Sequence, residues 1–230
     1  MEKQSVISYK IYSNERLKPV SFHGKEIHPL YIQVIYERKP IYFKSYFFDL
    51  LSKEKYALKW IAGKKIPQEK QIIQKEESLI NFLIERQARQ FSFDTFLKDY
   101  YYYGKDLLDD MDEGFKDYLK TFFEDEGKPQ LGLLVQTSSN KIMSAELVNE
   151  LKLSLKSELY KNMLENAPAY APPYLFIYDF TKKILKQDLE TLSVYEWEIF
   201  QDDLRAFLKK EYPQYSFKNV QEYIRKLISK

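Results

Sequence analysis

The chain has 230 residues, with 36 Lys or Arg and 34 Asp or Glu, so its formal net charge is +2. It has no Cys and two His, which excludes disulfides, thiol catalysis and Cys-ligated metals and leaves little for His-based chemistry. With 44% hydrophobic and 17% aromatic residues it has the means to bury a core, so disorder of the whole chain is excluded.

The charge is unevenly distributed along the chain. Residues 1–66 carry 13 basic and 6 acidic side chains, a net charge of +7. Residues 94–126 carry 4 basic and 11 acidic ones, a net charge of −7. Two explanations stay open: the basic segment has an anionic partner, or the two segments attract each other.

The first fifty residues predict a three-stranded antiparallel meander. Its strands are Ser5–Tyr12, Leu30–Glu37 and Ile41–Phe48, all rich in β-branched and aromatic residues. Alternate residues of the middle strand, from Leu30 to Tyr36, fall on one face. The short link at 38–40 indicates a hairpin, and the longer link at 13–29 is predicted to be a loop. A sheet of this size needs a helix over one face to be stable.

Helical periodicity and breaker residues organise the remainder. Breaks are predicted at 63–67 and 127–129, an extended segment at 167–173, and a capping box at Ser193–Glu196. Residues 131–135 fit strand or helix equally. Helices are predicted at 51–61 (or a connector there), 68–87, 95–103, from Gly104 to about 123, 144–166, 174–185, 193–211 and 216–228. The fold class is therefore α+β, with three segments: 1–66, a basic β-meander; 67–126, helical and acidic; and 127–230, helical.

No catalytic motif stands out. The chain lacks the glycine-rich loops that hold phosphates and the Gly-x-Ser-x-Gly nucleophile motif. The acidic run Asp109–Gly114 resembles a calcium loop, but Met111 and Lys120 then occupy two ligand positions, which favours a solvated helix terminus. The four tyrosines at 100–103 must cover a whole helix circumference, and packing explains them better than nucleophilic catalysis. We predict no enzyme activity, no cofactor and no metal site.

One resemblance comes from the N-terminal meander. The sequence Pro29–Val34, the basic turn Tyr36–Lys39 and the aromatic-basic stretch Tyr42–Ser45 resemble the arm-type DNA-binding domain of Bacteroidetes tyrosine recombinases (integrases). The resemblance spans residues ~5–50, and it rests mostly on hydrophobic alternation. The catalytic domain of a complete recombinase is absent, because no His follows residue 28. The resemblance implies a binding module without strand-transfer activity, associated with a mobile element or phage.

In that family the meander lays one sheet face in the major groove of DNA. Carried over to this chain, the resemblance implies a set of six DNA-contacting residues. Lys10, Arg38, Lys39 and Lys44 would face the phosphates, and Tyr31 and Tyr42 would lie near the sugars. The alternative is a packing face: Tyr42, Lys44, Tyr46 and Phe48 share one side of the predicted strand and suit contact with a helix.

Two functional hypotheses follow. The first is a non-enzymatic protein that binds double-stranded DNA through the basic meander. The second is a helical protein–protein interaction or structural subunit, with a protein partner or a second copy of itself, supported by the many aromatic residues. Residues 1–10 lack a signal-peptide pattern and no apolar run reaches ~18 residues, so we expect no membrane partner. Together with the lack of Cys, this predicts a cytoplasmic protein.

Overall fold

The computed structural model describes residues 7–61, 67–138, 140–186 and 189–229, without the side chains of 58–61. The chain forms two compact units, residues 1–104 (unit 1) and 105–230 (unit 2). A three-stranded antiparallel sheet comes first and a mostly helical chain follows, which confirms the predicted α+β class. The division at Gly104 falls inside the predicted segment 67–126 and so differs from the predicted three segments. The predicted break at 63–67 lies outside the described residues, except for Pro67.

Unit 1 begins with strands β1 (Ser8–Ser13), β2 (Val20–Phe22), β3 (Lys25–Ile27), β4 (Leu30–Tyr36) and β5 (Lys39–Lys44). β4 lies between β1 and β5 and pairs antiparallel with both, which gives the predicted meander. β2 and β3 form a separate hairpin inside the segment predicted as a loop. His23 and Gly24 at its turn both have positive φ, which suits a tight two-residue hairpin turn.

The third strand ends earlier than predicted. Ser45 accepts a hydrogen bond at its Oγ from the backbone N–H of Phe48 (3.0 Å) and caps a helix that starts at Tyr46. Tyr46 and Phe48 therefore lie on a helix and do not extend the face of Tyr42 and Lys44. The prediction of a strand through residue 48 was wrong because the local helix cap outweighs the β propensity of the aromatic run.

In the described part of unit 1 the strands are followed by the helices α1 (Tyr46–Leu51), α2 (Glu54–Ile61), α3 (Glu69–Gln87) and α4 (Phe93–Gly104). α3 and α4 match the predicted helices within two residues at each end. The unit's core lies between these helices and one face of the sheet. Phe43 of β5 contacts Tyr100 of α4, with ring centroids 4.8 Å apart, and Ile32 of β4 is fully buried. A helical layer therefore covers one face of the small sheet, as its stability requires.

Unit 2 consists of helices in its described part. These are α5 (Leu107–Asp125), α6 (Pro129–Thr137), α7 (Ser144–Ser154), α8 (Ser157–Tyr170), α9 (Tyr174–Lys183), α10 (Val194–Ile199), α11 (Gln201–Glu211) and α12 (Phe217–Ile228). α5 is central and contacts α6, α7, α8, α9 and α12. The predicted capping box is confirmed: the Glu196 carboxylate accepts hydrogen bonds from the Ser193 backbone N–H (2.7 Å) and hydroxyl (2.6 Å).

Three predictions for unit 2 need correction. The helix predicted at 144–166 is two helices, because Leu155 is extended between α7 and α8. The segment 167–173, predicted to be extended throughout, is helical up to Tyr170. Pro168 lies inside α8, where it has no N–H to donate to the carbonyl four residues earlier, and the helix ends two residues after it. The helix predicted at 193–211 breaks at Phe200 into α10 and α11.

Candidate nucleic-acid interface

The central strand β4 separates two different faces of the sheet. Leu30, Ile32 and Val34 are fully buried toward the helices. Side chains alternate along a strand, so Tyr31 and Gln33 point to the opposite face, where both are partly exposed. The predicted alternation of β4 is therefore confirmed, and it leaves one side of the sheet outside the core of unit 1.

Strand register aligns the exposed side chains in rows across β1, β4 and β5. Two neighbouring rows are Lys10–Gln33–Tyr42 and Tyr12–Tyr31–Lys44. We call these six residues the open face. Four of the six residues that the resemblance implied are among them, and Tyr42 is 58% exposed. The structure thus brings together side chains that lie up to 34 positions apart in sequence.

The two other implied residues lie at the turn between β4 and β5. The turn has two residues, Glu37 and Arg38, with φ values of 49° and 63°, and Lys39 and Pro40 already belong to β5. The predicted three-residue link was therefore one residue too long. Arg38 and Lys39 are exposed at the end of the sheet. Lys39 pairs with Tyr36, so its register places it opposite the open face.

Carboxylates neutralise little of this basic charge. Within the described part of the chain, Lys44 is the only one of the four cations in an ion pair, with Asp49 at 2.5 Å. Both of these side chains are about half exposed, at 42% and 50%. Exposed ion pairs of this kind contribute about 0–1 kcal/mol to stability. Little free energy is therefore needed for Lys44 to exchange Asp49 for another anion. Lys10, Arg38 and Lys39 stay available to a negatively charged partner.

Two open-face residues were missed by the sequence reasoning, Gln33 and Tyr12. Gln33 occupies the middle of the central strand and donates a hydrogen bond from Nε2 to the hydroxyl of Tyr42 at 2.9 Å. The ammonium group of Lys10 lies 5.7 Å from the ring centroid of Tyr12, within cation–π range. The alternation of Leu30–Glu37 already separated Gln33 from the apolar face, but its neighbours across the strands required the register.

A buried carboxylate supports the end of β5 from the helical side. Glu76 of α3 accepts hydrogen bonds from the hydroxyl of Ser45 (2.5 Å), the backbone N–H of Phe47 (3.1 Å) and the hydroxyl of Tyr100 (2.8 Å). The Tyr100 hydroxyl also accepts from the backbone N–H of Tyr46 at 2.9 Å. Burial outweighs these donors and raises the pKa of Glu76 to about 7. This cluster fixes the junction that follows Lys44.

The run of four tyrosines is divided between core and surface. Tyr100 and Tyr103 are buried, whereas Tyr101 and Tyr102 are about half exposed. This division is the one that four consecutive residues on a helix require. Tyr100 contributes to the Glu76 cluster, so its function is structural support of unit 1.

The acidic run 109–114 lies inside α5 and only partly forms a solvated terminus. Asp106 caps the helix and accepts hydrogen bonds from the N–H groups of Asp109 (3.0 Å) and Leu192 (2.7 Å). Asp112 is fully buried and forms a 2.8 Å ion pair with Lys116. Among the described residues, no group of three or more His, Asp or Glu side chains is arranged to hold a metal ion.

Comparison of the chain with protein-family models, with curated proteins and with solved structures finds no match in any of the three. The resemblance to recombinase arm domains therefore stays a prediction. Over the described residues, every helix is too short or too polar to cross a membrane.

Proposed function

We propose that this chain is a non-enzymatic protein that binds double-stranded DNA with the open face of its N-terminal sheet. The observation that carries this proposal is the placement of Lys10, Tyr31, Tyr42 and Lys44 on one exposed sheet face, with Arg38 at its end. Association with a mobile element or phage is a further part of the proposal, and it rests on the resemblance alone.

The size of the sheet is compatible with a DNA groove. Neighbouring strands lie about 4.8 Å apart, so the backbones of β1 and β5 are separated by roughly 10 Å. The major groove of B-DNA is about 12 Å wide. Lys10 on β1 and Lys44 on β5 then lie at opposite edges of the sheet, in reach of phosphates on the two sides of the groove.

The chemistry of the open face matches the contacts that DNA-binding proteins make. About half to two-thirds of protein–DNA hydrogen bonds go to phosphate and sugar, and Lys, Arg and Tyr are common donors. A phosphate is able to replace Asp49 as the partner of Lys44, because that ion pair is half exposed. Tyr31 pairs directly with Lys44, and Tyr42 lies two residues before Lys44 on β5, so both supply hydroxyl groups on the same face.

The test measures the affinity of the full chain for a random 30-base-pair duplex by fluorescence anisotropy at several salt concentrations. Phosphate contacts by Lys10, Lys44 and Arg38 predict a slope of log affinity against log salt of about −2.7, or a roughly 40-fold loss between ~50 and ~200 mM salt. Replacing Lys10 and Lys44 together by Gln removes two contacts, so the slope should become shallower by about 2.

A matched control keeps the change in net charge equal. Replacing Lys152 and Lys218 by Gln removes two exposed lysines of unit 2 and should leave the slope unchanged. Equal effects of the two double variants would show that binding follows total charge and not the open face. Failure of the wild-type chain to bind the duplex at ~50 mM salt would refute the proposed function.

A second candidate function, an interaction subunit, has one specific observation in its favour. The adjacent residues Leu133 and Leu134 of α6 are 59% and 63% exposed, which is unusual for two neighbouring apolar side chains. A mass measurement in solution distinguishes a monomer from a self-associating chain, and polar replacement of both leucines should abolish any association that this surface mediates.

A further inference from the structure

The centre of the open face differs chemically from its edges. The cations lie on the outer strands β1 and β5, whereas β4 contributes the neutral residues Tyr31 and Gln33. Gln33 has Lys10 on one side and Tyr42 on the other, as directly paired neighbours. A ligand with negative charge at its edges and neutral hydrogen-bonding groups between them would place those neutral groups against Gln33.

The hydrogen bond to Tyr42 sets the orientation of the Gln33 amide. Nε2 has two hydrogens, and one of them is donated to the Tyr42 hydroxyl. The second N–H and the Oε1 oxygen have no partner among the described residues. The open face therefore presents one donor and one acceptor side by side, held on the central strand and not on a mobile loop.

We propose that Gln33 reads an adenine in the major groove and that Tyr42 is its positioning residue. The inference rests on the proposed function, because it assumes that the open face meets DNA. The free N–H of Gln33 donates to N7 of the adenine, and the Oε1 oxygen accepts from its N6 amino group. The Tyr42 hydroxyl holds the amide in the plane that makes both bonds.

The donor–acceptor pair of Gln33 selects against the other bases. Guanine presents two acceptors in the major groove, N7 and O6, so the Oε1 oxygen of Gln33 would face O6 without a hydrogen. Cytosine presents an amino donor and thymine an acceptor with a methyl group, and neither has the pair that adenine offers. One position of the bound sequence should therefore be fixed as A·T while the lysines bind any sequence.

The experiment selects bound duplexes from a random library with the full-length chain and sequences them. The wild-type chain should enrich one A·T position, and Gln33→Ala should lose the preference at that position alone. The affinity of the variant for the selected duplex should fall about 5- to 150-fold, which is more than its affinity for random duplex falls, and its salt slope should stay the same because Gln33 carries no charge. Gln74→Ala, an exposed glutamine of α3, is the matched control and should keep the preference.

Tyr42→Phe tests the positioning part of the proposal. It removes the hydroxyl that accepts from Gln33 and keeps the ring, so the preference for adenine should weaken by a larger factor than the affinity for random duplex, which loses only one hydroxyl contact. Binding of all duplexes by the wild-type chain without an enriched adenine would overturn the reading by Gln33 and leave DNA binding intact. An adenine preference that survives Gln33→Ala would also overturn it. Absence of any binding would overturn the proposed function itself, and this inference with it.

Discussion

Replacing Glu76 by Gln should remove a specific loss of stability that the chain suffers as pH rises. The unfolded chain releases the proton of this carboxyl near pH 4.5, whereas burial makes the folded chain keep it to about pH 7. Between these values the folded state holds one more proton than the unfolded state, so stability falls with increasing pH. At about 1.4 kcal/mol per pH unit the total loss is about 3 kcal/mol, complete above about pH 8. Gln does not titrate, so the variant lacks this component.

Amide hydrogen exchange of the full-length chain, read by mass spectrometry, measures the effect where it arises. Peptides covering residues 30–51 do not include residue 76, so wild type and variant have the same intrinsic exchange rates. From pH 5 to pH 8 the protection of these peptides should fall about 100-fold more in wild type than in the Glu76→Gln chain. Glu77→Gln, on an exposed position of the same helix, should keep the wild-type profile. Parallel pH profiles in wild type and Glu76→Gln would refute the reasoning, because they would mean that Glu76 is already ionised in the folded chain.

Two further predictions concern the turn and the buried ion pair. Arg38 has a positive φ, which glycine adopts at lower cost, so Arg38→Gly should raise the unfolding free energy, measured in urea, by about 1 kcal/mol. The same variant should bind DNA more weakly, because it loses a cation. A variant less stable than wild type would contradict the turn geometry. Asp112→Ala removes a carboxylate that is ion-paired with the buried Lys116 and that accepts from the backbone N–H of Ser144 (2.7 Å). It should cost about 3–5 kcal/mol in stability, and an unchanged thermal unfolding temperature would show that this pair is not a structural anchor.

The sequence predicted those parts of the fold that depend on long, regular patterns. α3 and the alternation of β4 are examples, because each spans enough residues for its periodicity to be unambiguous. The errors occur where a local backbone feature decides the outcome. Ser45 ends a strand-like aromatic run by capping a helix, and His23–Gly24 turns a predicted loop into a hairpin. The prolines at 168–173 predict an extended segment, yet α8 continues through Pro168 to Tyr170.

The candidate site was predictable as a list of residues but not as an arrangement. Lys10, Tyr31, Tyr42 and Lys44 were all named from the resemblance, yet nothing in the sequence states that Lys10 pairs with Gln33 and Tyr31 with Lys44. That register depends on the two-residue turn Glu37–Arg38. If the turn had one more residue, every side chain of β5 would lie on the other face of the sheet. Gln33 was not predicted as a site residue, because only the strand register shows that it lies between Lys10 and Tyr42.

The distribution of charge on the open face bears on the choice between DNA and a protein partner. Protein interfaces have aromatic and apolar centres, and lysine is depleted from them. The open face shares an aromatic residue at its centre, Tyr31, with such interfaces, but its edges carry Lys10 and Lys44 and none of its six residues is a carboxylate. These lysines gain counterion release when they meet phosphates. Binding through this face should therefore weaken steeply with salt, whereas association through Leu133 and Leu134 should be almost insensitive to salt, since apolar burial involves no counterions.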